Sequence, residues 1–169
     1  MTKAAHRAPV SVVLPTRDRP DMLERCIASV RTALRPADEL IVVDSASRDA
    51  RVAQVAAAGG ARVLRCDRAG VDRARNVGWR AATHDVVLFV DDDVVVDEGW
   101  ADAFAATIAA HPDVGFVTGR IEVPPDQGDV ARPVAIKDDD EPAELGPATS
   151  GTLGHSASLA VPKAVLERL

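Results

Sequence analysis

The feature that most constrains this chain is a repeated change of period. Short runs that are apolar at nearly every position alternate with longer stretches that are apolar every third or fourth residue. Residues 10–14, 40–43, 61–64, 85–90 and 114–118 are runs of the first kind. A strand that is apolar on both faces belongs in a sheet covered on both sides, and such sheets are mostly parallel, with helical crossovers. The intervening stretches supply the helices. One starts with Asp18 or Arg19 as its cap and Pro20 in its first turn, puts Leu23, Ile27, Val30 and Leu34 on one face, and ends at Pro36. The next runs through Val52, Val55 and Ala56, is capped by Ser47 or Asp49, and closes at Gly59 and Gly60. A third helix is predicted over 70–82 and a fourth over 99–110, where Trp100, Phe104 and Ile108 recur at a spacing of four. The fold class is therefore α/β, in three layers around a mostly parallel central sheet.

No internal repeat is visible. The stretch 124–150 differs in texture, with Pro, Gly, Asp and Glu mixed and an Asp-Asp-Asp-Glu run at 138–141, and reads as a long mobile loop. Residues 151–169 read as ordered again, with a short strand near 157–161 and a helix opened by Pro162. A length of 169 residues suits one domain.

Charge and hydropathy exclude several classes. A net charge of −6 argues against a dedicated nucleic-acid binder. No apolar run approaches the roughly 18 residues that cross a bilayer. No apolar signal core follows the first nine residues. Cys26 and Cys66 make no disulfide framework and have no metal-ligand spacing, so both are expected to be reduced, in a cytoplasmic protein.

In open α/β sheets, ligands sit beyond the carboxyl ends of the strands. The residues after each run are therefore the ones to read. After the first come Pro15, Thr16, Arg17 and Asp18. After the second come Asp44, Ser45 and Ser47. The third leads to Asp67 and Arg68 and then into residues 70–76. The fourth leads directly to Asp91, Asp92 and Asp93. Polar groups from four segments thus converge on one edge.

The Asp triplet is the sharpest of these. In an extended segment, residues i and i+2 point the same way, so Asp91 and Asp93 face one ion while Asp92 faces elsewhere. Carboxylates combined with substrate phosphates are typical ligands of Mg²⁺ and Mn²⁺. The plain alternative is a solvated acidic turn, as at 138–140; the position directly behind a buried strand favours the ion. Arg75 lies in the early turns of its helix, where it either grips a diphosphate bidentately or pairs with Asp72. Gly78 permits close helix packing. Asp44 either accepts hydrogen bonds from a base or ribose or serves an Asx turn or helix cap. His155 reads as a polar loop residue, and Trp79 and Trp100 as packing residues.

These residues resemble family-two glycosyltransferases. VSVVLPTRDR at 10–19 is similar to their opening strand and loop, and LIVVDSASRD at 40–49 to their second strand and acidic turn. GVDRARNVGWRAATHDVVLFVDDD at 70–93 is the most specific stretch, and Gly99-Trp100 also fits. Residues 154–169 resemble the segment that leads toward the acceptor site. The resemblance implies a GT-A (Rossmann-like) fold, with residues 1–123 as the nucleotide-binding core and 151–169 as the start of the acceptor side. It implies transfer of a sugar from a nucleotide-diphosphate donor to a glycan, lipid or small-molecule acceptor, with inversion and with Mn²⁺ or Mg²⁺. Nucleic acid is not a partner. Peripheral association with the inner face of the membrane is an option within the family.

By matching position, Asp44 would contact the donor base, with Thr16 beside it. Arg75 would lie near the diphosphate. Asp91 would approach ribose and metal, and Asp93 would ligate the metal. Pro15, Arg17 and Asp92 complete the donor-binding set. Two departures stand out. Ser45 and Ala46 replace the second Asp and the Gly usual in the acidic turn. The catalytic acid of the family is expected beyond Leu169, so the chain reads as truncated, with the base unassigned. The competing reading is a module that binds a nucleotide sugar without turnover. Other nucleotide users fit less well: no Gly-x-Gly-x-x-Gly turn is present for a dehydrogenase, no Gly-rich loop follows the first strand as in a nucleotidyltransferase, and no Lys follows the last core strand as in a receiver domain.

Overall fold

A computed structural model describes residues 7–121 and 157–169. In chain order the elements are β1 (Ser11–Thr16), α1 (Pro20–Ala33), β2 (Glu39–Ser45), α2 (Arg51–Ala58), β3 (Arg62–Cys66), α3 (Val71–Ala81), β4 (Val86–Val90), α4 (Trp100–Ala110), β5 (Val117–Thr118), β6 (Ser158–Pro162) and α5 (Lys163–Leu166). The loop expected at 124–150, its acidic run and His155 lie outside the described residues.

The strands form one sheet in the order β3-β2-β1-β4-β6-β5. β1 pairs in parallel with β2 and β4, and β2 with β3. Alternate strand residues feed two cores. Val12, Leu14, Val42 and Leu88 face α1, α2 and α4 on one side. Val13, Ile41, Val43 and Val87 face α3 on the other. This is the expected three-layer arrangement, and β1, β2 and β4 at its centre are buried along nearly their whole length. Gly78 has the packing role expected of it: a Cβ there would lie 2.3 Å from Val13 Cγ1 and 3.1 Å from Val43 Cγ2. Trp100 meets Phe104 edge to face with centroids 5.6 Å apart, and its indole N–H donates to Ser158 Oγ.

Several boundaries differ from the sequence reading. β6 runs antiparallel to β4 and β5, so the sheet is parallel only from β3 to β4. An apolar run reads alike in both directions, so its periodicity carries no orientation. The strand expected at 114–118 shrinks to Val117–Thr118, because Val114 N donates to the His111 carbonyl and keeps the chain turning. β3 starts at Arg62 and reaches Cys66; as an edge strand it exposes Arg62 and Arg65. Leu34 caps the end of α1 in an extended conformation rather than continuing its face. At α2 the residue that meets the helix start is Asp49, whose carboxylate accepts from Arg51 N at 2.9 Å, whereas Ser47 turns toward Asp18.

Pro15 sits in the central strand. Proline brings no N–H to a ladder, so it is tolerated only where a bond is not needed. The register of β1 with β4 ends at Val13↔Phe89, two residues before Pro15. From there the two strands part. Among the described residues, no helix is long and apolar enough to cross a membrane.

Candidate functional site

The parting of β1 and β4 falls where strand order reverses, with β2 on one side of β1 and β4 on the other. Such a switch point is where open α/β sheets form ligand crevices. A cleft of about 400 Å³ opens there, lined by Pro15, Thr16, Arg17, Arg19, Ser45, Gly70, Val71, Asp91, Asp92 and Asp93. Four segments distant in sequence build it, as the strand-end reading expected.

The floor is a pair of buried side chains. Thr16 Oγ1 donates to Asp92 Oδ2 at 2.8 Å. Arg19 Nη1 donates to Asp92 Oδ1 at 3.2 Å and to Asp93 Oδ2 at 3.4 Å. The acidic triplet is not extended. Val94 N donates to the Asp91 carbonyl at 3.2 Å and closes a turn, so strand alternation stops at Val90. Asp92 therefore joins the cleft wall instead of facing away. Asp93 is turned outward, its side chain 54% exposed.

Asp91 is more enclosed. Arg75 Nη2 donates to its Oδ1 at 2.6 Å. Burial pushes the Asp91 carboxyl above the usual range; Arg75 pulls it back, and the Asp93 and Asp92 charges raise it again. The Cys26 thiol donates to the Asp91 carbonyl at 3.4 Å, supporting the turn from below. Burial, aided by the three aspartates, pushes Cys26 up to about 12, so it stays a thiol. Arg75 also pairs with Asp72 at 3.5 Å, the acidic neighbour expected for it, while its closer contact, with Asp91, was not foreseen. Arg75 Nε is buried without a hydrogen-bond partner, a polar atom at the edge of the site still to be satisfied.

Asp44 is buried near the end of β2. Its Oδ1 accepts from Ser47 N at 2.8 Å, the turn contact considered above. Its Oδ2 is held by Arg65 Nη1, and Arg65 Nη2 donates to the Ser47 carbonyl at 3.1 Å. Asp44 is thus not among the residues that line the cleft, whereas its neighbour Ser45 is. Ala46 takes φ +58°, the left-handed region that suits the glycine usual at this place. The loops are tied to each other. Ser47 Oγ accepts from Asp18 N at 3.0 Å, and Asp18 Oδ1 accepts from Arg48 N and Asp49 N. Those two backbone bonds hold the Asp18 carboxyl below its usual range. Gly70 N donates to Ser45 Oγ at 3.0 Å, linking the start of α3 to β2.

Among the described residues, no three His, Cys, Asp or Glu side chains gather around one point. The residues nonetheless fit a hard divalent ion. Mg²⁺-type sites use one or two carboxylates and complete their shell with water and substrate phosphates. Asp91 and Asp93 at the mouth of an open cleft offer that donor set. Sequence reasoning missed Arg19, Arg65 and Val71. Arg19 had one signal: it stands at a helix N-cap, where an arginine has no acceptor with which to cap.

The comparisons agree with this geometry. The glycosyl transferase family 2 profile matches residues 11–160. The pre-mycofactocin glycosyltransferase of Mycobacterium tuberculosis is 32% identical over 161 residues, covering 93% of this chain and 32% of that protein. The mannosyltransferase PcManGT from Pyrobaculum calidifontis, solved with GDP-Man and Mn²⁺, superposes with a TM-score of 0.69 at 23% identity, over 97% of this chain and 47% of that one. Glucosyl-3-phosphoglycerate synthase from M. tuberculosis, solved with Mn²⁺, UDP and glucosyl-3-phosphoglycerate, superposes with a TM-score of 0.58 at 27% identity, over 66% of this chain and 43% of that one. The chain spans about a third to just under half the length of these proteins. The sheet is that of the GT-A fold, and from its first strand to its last the chain belongs to glycosyl transferase family 2.

Proposed function

We propose that this chain carries the donor site of a glycosyltransferase: it binds a nucleoside-diphosphate sugar in the cleft beyond β1 and β4, with Mn²⁺ or Mg²⁺, for inverting transfer to an acceptor hydroxyl. The observation that carries the reading is the cleft, where an acidic turn, two arginines and a buried Thr-Asp pair meet at the switch point of the sheet. The glucosyl-3-phosphoglycerate synthase of similar fold, solved with UDP and Mn²⁺, supports the choice of ligand class.

Each residue then has a task. Asp44 accepts from the donor base, with Thr16 beside it, and Pro15 and Arg17 form the wall. Asp91 and Asp93 are the ion ligands. Asp92, fixed by Thr16 and Arg19, orients the turn that presents them. Arg75 holds Asp91 toward the cleft beside the diphosphate. A bound divalent ion would act as a Lewis acid, offsetting the charge that develops on the nucleoside-diphosphate leaving group. The acceptor hydroxyl needs a general base to attack; no described residue is assigned that role.

The test is a panel of UDP-, GDP- and dTDP-sugars incubated with the chain and Mn²⁺, reading release of the nucleoside diphosphate with and without a hydroxyl acceptor. Release of one nucleotide, lost in Asp93→Ala, is expected. Binding without release supports the module without turnover, and binding of none of the donors contradicts both.

A further inference from the structure

Arg75 is already engaged by Asp91 and Asp72 and is largely enclosed. Arg19 is not. It makes no side-chain cap for α1, and its guanidinium reaches the acidic turn instead. Nη1 alone makes both contacts, to Asp92 and Asp93. Among the described residues, Nε and Nη2 have no protein partner, and Arg19 lines the cleft. The side chain is 53% exposed, so packing does not hold it in place.

Its two partners are unequal. Asp92 is nearly buried and is also held by Thr16, so it keeps its place without Arg19. Asp93 is exposed and, among the described residues, has only the 3.4 Å contact with Arg19. A divalent ion brought against Asp93 would therefore displace a weak, solvent-screened pair. The freed guanidinium has a planar fork that matches phosphate oxygens.

We propose that Arg19 is the resident counter-cation of the acidic turn and the phosphate-binding arginine of the cleft: it neutralises Asp93 before the ion binds, yields that carboxylate to the ion, and then donates to the donor diphosphate. This rests on the reading of the cleft as a nucleoside-diphosphate site.

Calorimetric titration separates the two roles. Mn²⁺ alone, and UDP and GDP each in the presence of a chelator, are titrated into the chain, Arg19→Gln and Arg19→Lys. Arg19→Gln is expected to bind Mn²⁺ about threefold to tenfold more tightly, because a competing positive charge is gone. It is expected to bind the nucleoside diphosphate about tenfold more weakly without metal, because a charge-assisted contact is lost. Arg19→Lys keeps the charge and not the fork, so Mn²⁺ affinity stays near that of the parent and nucleotide affinity recovers only in part. A merely structural arginine would weaken both together. Unchanged affinities in Arg19→Gln, or a parallel loss of both, overturn the assignment. If the parent chain binds neither UDP nor GDP even with Mn²⁺, the donor-site reading itself fails; if it binds and Arg19→Gln matches it, only the role of Arg19 fails.

Discussion

Thr16 and Asp92, far apart in sequence, are joined by a 2.8 Å hydrogen bond that bridges β1 and the turn after β4 just beyond their last paired residues. Both side chains are buried. Thr16→Val keeps the shape and removes the donor, leaving Arg19 as the partner of a buried carboxylate. The expected loss is about 1–3 kcal/mol of stability, since an unmet buried acceptor costs more than the bond contributes. Urea unfolding checks it, and an unchanged midpoint would contradict the pairing.

Ala46 holds a left-handed backbone at φ +58° between Asp44 and Ser47. An L-residue there costs roughly 1–2 kcal/mol, part of which is offset by the greater freedom glycine has in the unfolded chain. Ala46→Gly is therefore expected to stabilise the protein, by about 0.5–1 kcal/mol. Thermal melts read the sign, and a lower midpoint would show that the turn carries no strain.

Gly78 is the opposite case. A Cβ at this position collides with Val13 and Val43 on the central strands, so α3 must move off the sheet. Gly78→Ala is expected to cost about 1–3 kcal/mol by overpacking. Because α3 carries Arg75, a shift there also weakens the hold on Asp91, which should appear as lower nucleotide affinity in the same variant.

Acid should destabilise the fold from the end of the sheet opposite the cleft. Asp38 accepts from Arg7, Arg35 N and Val10 N. Burial opposes its charge, yet these donors outweigh burial and hold the carboxyl below its usual range. Glu39 and Asp102 are lowered in the same way, against burial, by Ser11 and Thr83 and by Arg7 and Arg35 respectively. A folded pKa below the unfolded one contributes stability above the unfolded value and loses it as pH falls through the folded value. Asp91, raised by burial, works in the opposite sense and gains stability on protonation. Among the described residues the lowered groups outnumber it, so urea midpoints should fall as pH drops below about 4. Asp38→Asn should flatten that fall, and an equal slope in the variant would refute the assignment.

Much of this was legible in the sequence because it depends on short-range pattern. Val10 to Leu14 and Val86 to Val90 announce buried strands, and parallel strands deliver their ends to one edge, which placed Thr16, Arg17 and the three aspartates together. What was not legible depends on tertiary reach or direction. Arg19 and Arg65 have long side chains whose heads settle on carboxylates of other elements, and no local spacing encodes that. The turn closed by Val94 on Asp91 ended the alternation that the adjacent strand suggested. The antiparallel course of β6 is invisible in a run such as Ser158–Pro162, whose apolar pattern has no polarity.

The central claim is that the cleft between β1 and β4 holds a nucleoside diphosphate through a divalent ion on Asp91 and Asp93. Crystals grown with UDP or GDP and Mn²⁺ test it directly through the anomalous signal of the metal. The account predicts one Mn²⁺ peak about 2.0–2.3 Å from carboxylate oxygens of Asp91 and Asp93 and from diphosphate oxygens, absent in Asp93→Ala. A nucleotide bound in the cleft with no metal peak, or a peak remote from both aspartates, would contradict it.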